Sequence, residues 1–127
     1  MQNQTNVFET YYSKTPFGKI LWNQLDDREI FDVLDNLKVP KSFRIVSLGC
    51  GTGQKEIYAA KNGYKNIVGV DISQTAIETA RSLSKKAGVE TKFYAQDIIS
   101  LSKLDIFKKL RVPDLLVDWM SFHTITK

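Results

Sequence analysis

Apolar positions along the chain fall into two alternating rhythms, and the alternation predicts an α/β fold. Short β-rich runs stand at 45–48 (Ile-Val-Ser-Leu), 66–71 (Asn-Ile-Val-Gly-Val-Asp), 91–96 (Thr-Lys-Phe-Tyr-Ala-Gln) and 114–118 (Asp-Leu-Leu-Val-Asp). Each is too short for a helix and reads as a strand. Helical spacing fills the gaps. Residues 54–62 predict a short helix with Ile57, Tyr58 and Ala60 inward and Gly63 as its stop. Ser73 caps a longer one through Ala76, Ile77, Ala80, Leu83 and Ala87 to Gly88. Leu101, Leu104, Ile106, Phe107 and Leu110 make a third before Pro113.

Ahead of the first strand the pattern is helical throughout. Val7, Phe8, Tyr11 and Tyr12 recur at helical spacing, the stretch 15–18 (Thr-Pro-Phe-Gly) interrupts it, and Ile20, Leu21 and Leu25 resume it. Asp26 with Glu29 reads as a capping box. The helix behind it would carry an apolar stripe of Ile30, Val33, Leu34 and Leu37, with Asp27, Arg28, Asp32 and Asp35 toward solvent. Pro40 then ends helical structure before the strand. The expected organisation is a helical segment over 1–42 leading into a ligand-binding domain over 43–127.

The chemistry concentrates where the first strand ends. Gly49, Gly51 and Gly53 remove side chains from the strand-to-helix turn, permitting positive φ and close approach of a ligand's backbone-facing groups. The positive end of the next helix points at this turn and favours negative charge there. About twenty residues on, the second strand ends in Asp71, where nucleotide-binding α/β folds grip a ribose. Asp71 is therefore the candidate ribose acceptor; the alternative is that it only caps the helix from Ser73. Asp97 closes the third strand in the same way and carries the same alternative. Spacing separates cofactors as well, because a dinucleotide fingerprint wants Gly-x-Gly-x-x-Gly and here the third glycine comes one residue early. That disfavours a nicotinamide- or flavin-dependent oxidoreductase.

Composition narrows the rest. The chain has 127 residues, 43% apolar and 25% charged, enough for one modest core. A net charge of +4 with scattered lysines does not indicate nucleic-acid binding. The single cysteine, Cys50, excludes an internal disulfide and a cysteine-rich zinc site, and no metal site is expected. Cys50 lies inside the glycine turn with the sole histidine, His123, far along the chain, so it reads as a turn residue rather than a nucleophile. With no signal pattern and no membrane-length apolar run, the expectation is a cytoplasmic protein without membrane contact.

Taken in order, four motifs resemble class I S-adenosylmethionine-dependent methyltransferases: 49–53 (Gly-Cys-Gly-Thr-Gly), 70–73 (Val-Asp-Ile-Ser), 94–98 (Tyr-Ala-Gln-Asp-Ile) and 114–118 (Asp-Leu-Leu-Val-Asp). The resemblance implies a Rossmann-like, doubly wound parallel sheet in the order 3-2-1-4 with N-terminal helices, truncated after the fourth strand of the family's seven. It implies S-adenosylmethionine as cofactor, held by Gly49, Cys50, Gly51, Gly53, Asp71, Ile72, Asp97 and Ile98. Residues 118–125 further resemble an Asp-x-x-x-Phe-His-x-Ile pattern of thiopurine- and metalloid-resistance-type enzymes. That implies a small-molecule acceptor near Asp118 and His123, the catalytic candidates. One position departs from the family: Ser47, two before Gly49, stands where an acidic residue helps hold the cofactor's ammonium. The uncovered fourth strand would form an edge able to pair with a second copy. The expected function is thus methyl transfer to a small molecule, and the alternative is a shortened, non-catalytic binding or interaction module.

Overall fold

The structure is a computed structural model and describes residues 27–97 and 113–118. The helices expected at 7–12, 19–25 and 101–110, and the candidates Ile98 and His123, lie outside the described residues. Among the described residues seven elements follow in order: α1 (Glu29–Asn36), β1 (Ile45–Leu48), α2 (Gln54–Lys61), β2 (Ile67–Asp71), α3 (Gln74–Ala87), β3 (Lys92–Ala95) and β4 (Leu115–Asp118). The strands form one parallel sheet ordered β3-β2-β1-β4, the Rossmann-like arrangement the motifs implied.

Register decides what shares a face. Ile45 pairs with Ile67 and Leu115, and Ser47 with Gly69 and Val117. Gly69 in turn pairs with Phe93. These residues therefore point to one side. The three helices lie side by side against that side: α1 contacts α2, α2 contacts α3, and α2 and α3 contact β2. Ile30 and Leu34 of α1 pack there with Ile45, Ala59, Ala60, Tyr64 and Ile67, and Leu115 and Val117 complete the cluster. Beside it Ile57, Ile77 and Ala80 close over Phe93.

Local signals explain most element ends. The Ser73 side chain accepts from Ala76 N–H at 3.1 Å and starts α3, while Gly88 at φ 74° ends it. Asp26 of the expected capping box lies outside the described residues; α1 begins after Arg28, which makes no side-chain cap. The apolar stripe of α1 is narrower than expected. Ile30 and Leu34 are buried, whereas Val33 and Leu37 are 45% and 70% exposed. Leu37 already lies past the last helical residue, and just beyond it Lys38 adopts φ 56° and lets Val39 N–H donate back to Leu34 C=O at 3.0 Å. That closure needs a left-handed residue, and a lysine fills the place glycine usually takes.

The fourth strand is also less buried than its sequence suggests. Leu115 and Val117 face the helices, but Leu116 points to the other side and is 53% exposed.

One close contact fixes how α2 and α3 sit on the sheet. A Cβ at Gly69 would lie 2.5 Å from Phe93 Cδ1 and 2.8 Å from Cys50 Sγ, and one at Gly53 would lie 2.7 Å from the same ring. The Phe93 ring fills the space that both glycines leave. Gly69→Ala is expected to destabilise the fold by about 1–3 kcal/mol, the usual range for overpacking. Urea unfolding checks this, and an unchanged midpoint would contradict the packing described.

Candidate functional site

The glycine turn is a left-handed excursion at the end of a buried strand. Gly49, Gly51 and Gly53 have φ of 71°, 58° and 80°. A side chain at Gly53 would be strained by this backbone as well as by Phe93. Gly49 N–H and Cys50 N–H both donate to Val70 C=O, at 2.8 and 3.1 Å, so the turn is laid across the end of β2. The next amide meets a side chain: Gly51 N–H donates to Asp71 Oδ2 at 2.8 Å. Asp71 Oδ1 accepts from Ser73 N–H at 3.0 Å.

Asp71 is thus more than a helix cap. Ser73 caps α3, while the Asp71 carboxylate ties the glycine turn to the end of β2. The Asp71 carbonyl also accepts from Gln96 N–H at 2.8 Å, which brings the end of β3 to the same place. Leu48 is level with Val70 and Asp118, and Asp71 with Ala95. The carboxyl ends of all four strands consequently gather Gly49, Cys50, Gly51, Asp71, Ile72, Asp97 and Asp118 at one edge, where open α/β sheets bind ligands. Within that edge Asp71 is buried, Ile72 and Asp118 are partly buried, and Asp97 is exposed. Ile98 and His123 fall outside the described residues, so the pairing of Asp118 with His123 is not among these contacts.

A further group belongs to the site although the sequence pattern hides it. Glu56, in the first turn of α2, is 1% exposed. Its Oε2 accepts from the Ser47 hydroxyl at 2.6 Å, joining the helix to β1 directly behind the glycine turn. Its Oε1 is buried with no hydrogen-bond partner. Burial raises the Glu56 carboxyl from the usual 4.5 to about 7. The Ser47 bond, its own backbone bond and Lys55 pull the other way, and the Asp71 carboxylate adds to the rise. Next to Lys55 in a helix of mixed polarity, Glu56 reads as a solvent-facing residue; only its helical offset of one from Ile57 hints otherwise.

Cys50 behaves as a turn residue. Burial, then Glu56 and then Asp71 push its thiol well above the ordinary value, the reverse of what a nucleophile needs. Among the described residues no group of three histidine, cysteine, aspartate or glutamate side chains could hold a metal ion. No helix among them is long and apolar enough to cross a membrane. What remains is a binding edge of backbone amides and carboxylates, suited to a polyhydroxylated ligand that also carries positive charge.

Comparison with known proteins agrees with that geometry. A family model described as a methyltransferase domain matches residues 40–125. The chain is 37% identical over 95 residues to protein arginine N-methyltransferase 1 of Saccharomyces cerevisiae, an alignment covering 73% of this chain and 26% of that protein. It superposes with a TM-score of 0.77 and 28% identity on a protein whose structure concerns conversion of a disulfide bond into a thioacetal group during echinomycin biosynthesis. That match covers 96% of this chain and 49% of the other. Magnesium protoporphyrin IX methyltransferase of Synechocystis, solved with SAM bound, shares the fold at a TM-score of 0.70 and 16% identity, covering 98% of this chain and 65% of that one. The chain spans 25%, 34% and 40% of the lengths of three further curated relatives.

The raised Glu56 carboxyl links stability to pH. Between 4.5 and about 7 the folded chain holds a proton on Glu56 that the unfolded chain has released. Stability from this group is therefore full below pH 4.5 and falls as pH rises through 7, by on the order of 3 kcal/mol at about 1.4 kcal/mol per pH unit. Glu56→Gln removes that slope. Urea unfolding at about pH 5 and about pH 8 is expected to show the variant gaining on the wild type at the higher pH. An equal difference at both would contradict the burial of an ionisable Glu56.

Proposed function

The chain belongs to the methyltransferase-domain family, whose model matches residues 40–125, and from that premise we propose that it binds S-adenosylmethionine and transfers its methyl group. The observation that carries the reading is the Asp71 carboxylate, fixed by Gly51 N–H and Ser73 N–H at the end of β2. A carboxylate oriented before the ligand arrives needs little reorganisation to accept from the two hydroxyls of a ribose. Ile72, next in the chain, would pack on the sugar–adenine junction. Asp97 and Ile98 would take the adenine, with the Asp97 carboxylate accepting from its amino group. The turn at Gly49, Cys50, Gly51 and Gly53 would present main chain to the methionine part. When bound, the cofactor supplies an electrophilic methyl on a sulfonium; the chain's part is alignment and exclusion of water.

Asp118 ends β4 level with Leu48, beside the glycine turn. Together with His123 it would orient an acceptor or take its proton. The resemblance of residues 118–125 favours a small-molecule acceptor. The yeast arginine methyltransferase relative supports a protein acceptor as the second reading.

Calorimetric titration of the chain with S-adenosylmethionine and S-adenosylhomocysteine tests the proposal. Saturable binding is expected, weakened roughly 10- to 100-fold by Asp71→Asn, as loss of a hydrogen bond to a charged acceptor predicts. A folded chain that binds neither compound would overturn the reading and favour a non-catalytic interaction module.

A further inference from the structure

Glu56 poses a problem that the fold alone does not solve. A carboxyl oxygen that is buried and unmet is costly in either protonation state. Ionised, Oε1 lacks a donor; protonated, an Oε1 hydroxyl would lack an acceptor. Its partner oxygen is already committed to Ser47. The surroundings are charged as well as buried. Asp71 at the end of β2 and the Cys50 thiol of the turn both interact with Glu56 electrostatically, and Lys55, its neighbour on α2, is the positive group among those acting on it. Glu56 thus lies within electrostatic reach of the binding edge rather than in a separate part of the core.

We infer that Glu56 is a cofactor-binding residue whose Oε1 accepts from the α-ammonium of the S-adenosylmethionine methionine part, with the Ser47 hydroxyl holding Oε2 in place. The inference rests on the proposed cofactor. Three observations carry it. The orphaned oxygen belongs to a carboxyl whose sister oxygen bonds Ser47 of β1, two residues before Gly49. A cationic donor meets that oxygen in a way no described protein group does. Finally, the strand position that would carry an acidic residue in the resembled family is serine here, and the structure places a carboxylate 2.6 Å from that serine's oxygen. The acidic group is present at the site, delivered by the helix instead of the strand.

Protonation follows from the same geometry. Glu56, with a carboxyl raised to about 7, must ionise to pair with an ammonium, so binding in mildly acidic solution releases a proton. The charged groups facing it are Lys55 from α2, Asp71 from β2 and Cys50 from the turn. Of these, Asp71 also disfavours the ionised form, and a bound cation relieves both carboxylates together.

The test compares S-adenosylhomocysteine with its deamino analogue, which keeps the adenosine, the sulfur and the carboxylate but lacks the ammonium. Calorimetry of the wild-type chain and of Glu56→Gln is run near pH 6 in buffers of different ionisation heat. The expected result is that Glu56→Gln weakens S-adenosylhomocysteine at least about 10-fold and the deamino analogue less than about 2-fold. Proton release should accompany S-adenosylhomocysteine binding to the wild type and be missing in the variant. Ser47→Asp added to Glu56→Gln should recover most of the lost affinity by returning a carboxylate from the strand side. Equal weakening of both ligands would show a structural role only and overturn the inference, as would unchanged affinity for S-adenosylhomocysteine. If the wild type binds neither ligand, the cofactor reading itself fails and this inference with it.

Discussion

A glycine turn at the end of a buried strand leaves amides pointing away from the sheet ladder, and the site depends on how those amides are met. The sheet itself takes two, since Gly49 and Cys50 both donate to Val70 C=O. The third, Gly51 N–H, is met by the Asp71 carboxylate at 2.8 Å. That bond joins residues twenty apart in sequence, so it can form only once β1 and β2 are paired in the observed register. A shift of one residue would send Asp71 to the opposite face and leave the amide without its acceptor. The contact that shapes the binding edge is also one that specifies strand pairing.

The packing behind the turn serves the same end. Phe93 of β3 fills the space over Gly69 and against Gly53, where Ala80 of α3 also approaches. A larger residue at either glycine would lift α2 from the sheet, and Glu56 with it. The Ser47–Glu56 bond is therefore possible because the helix is seated close enough for a glutamate to reach the strand. On the other flank, Tyr64 O–H donates to Val39 C=O at 2.8 Å, and Lys41 lies 4.0 Å from the Tyr64 ring centroid. These contacts close the connector between α1 and β1.

Much of this was legible because it rests on residue types that few other arrangements require. Three glycines in five residues, a strand ending in aspartate and a serine-capped helix ending at glycine are local signals, and β1, β2 and α3 follow from them. What was not legible depends on distances between elements. Val33 and Leu37 fit a helical stripe but are exposed; Leu37 falls at a helix end closed by Lys38, and lysine carries no left-handed signal. Leu116 fits a buried strand, but its face is set by pairing with Val46. Glu56 is the sharpest case. Its charge argues for solvent in any sequence-based reading, and its burial follows from Ser47 being small enough to admit a carboxylate and polar enough to bond it.

Charge at the binding edge can be settled by magnitude. The start of α2 contributes at most about half a positive charge, and its length of only eight residues reduces that further. Taken alone, it would favour an anion. Asp71 outweighs it with a full carboxylate bonded to two amides of the same edge. Glu56 adds a second acidic group that is near half-ionised at neutral pH. The two raise one another's cost of ionising, which is why an anionic ligand would meet a rising penalty and a cationic one a falling one. Under the proposed reading, a ligand joining hydroxyls to positive charge would use both features: its diol would take the oriented carboxylate, and its cation would let the second carboxyl give up its proton. The same half-ionised state makes the fold less stable as pH rises, so that pH dependence and the proposed preference for a cation have one origin.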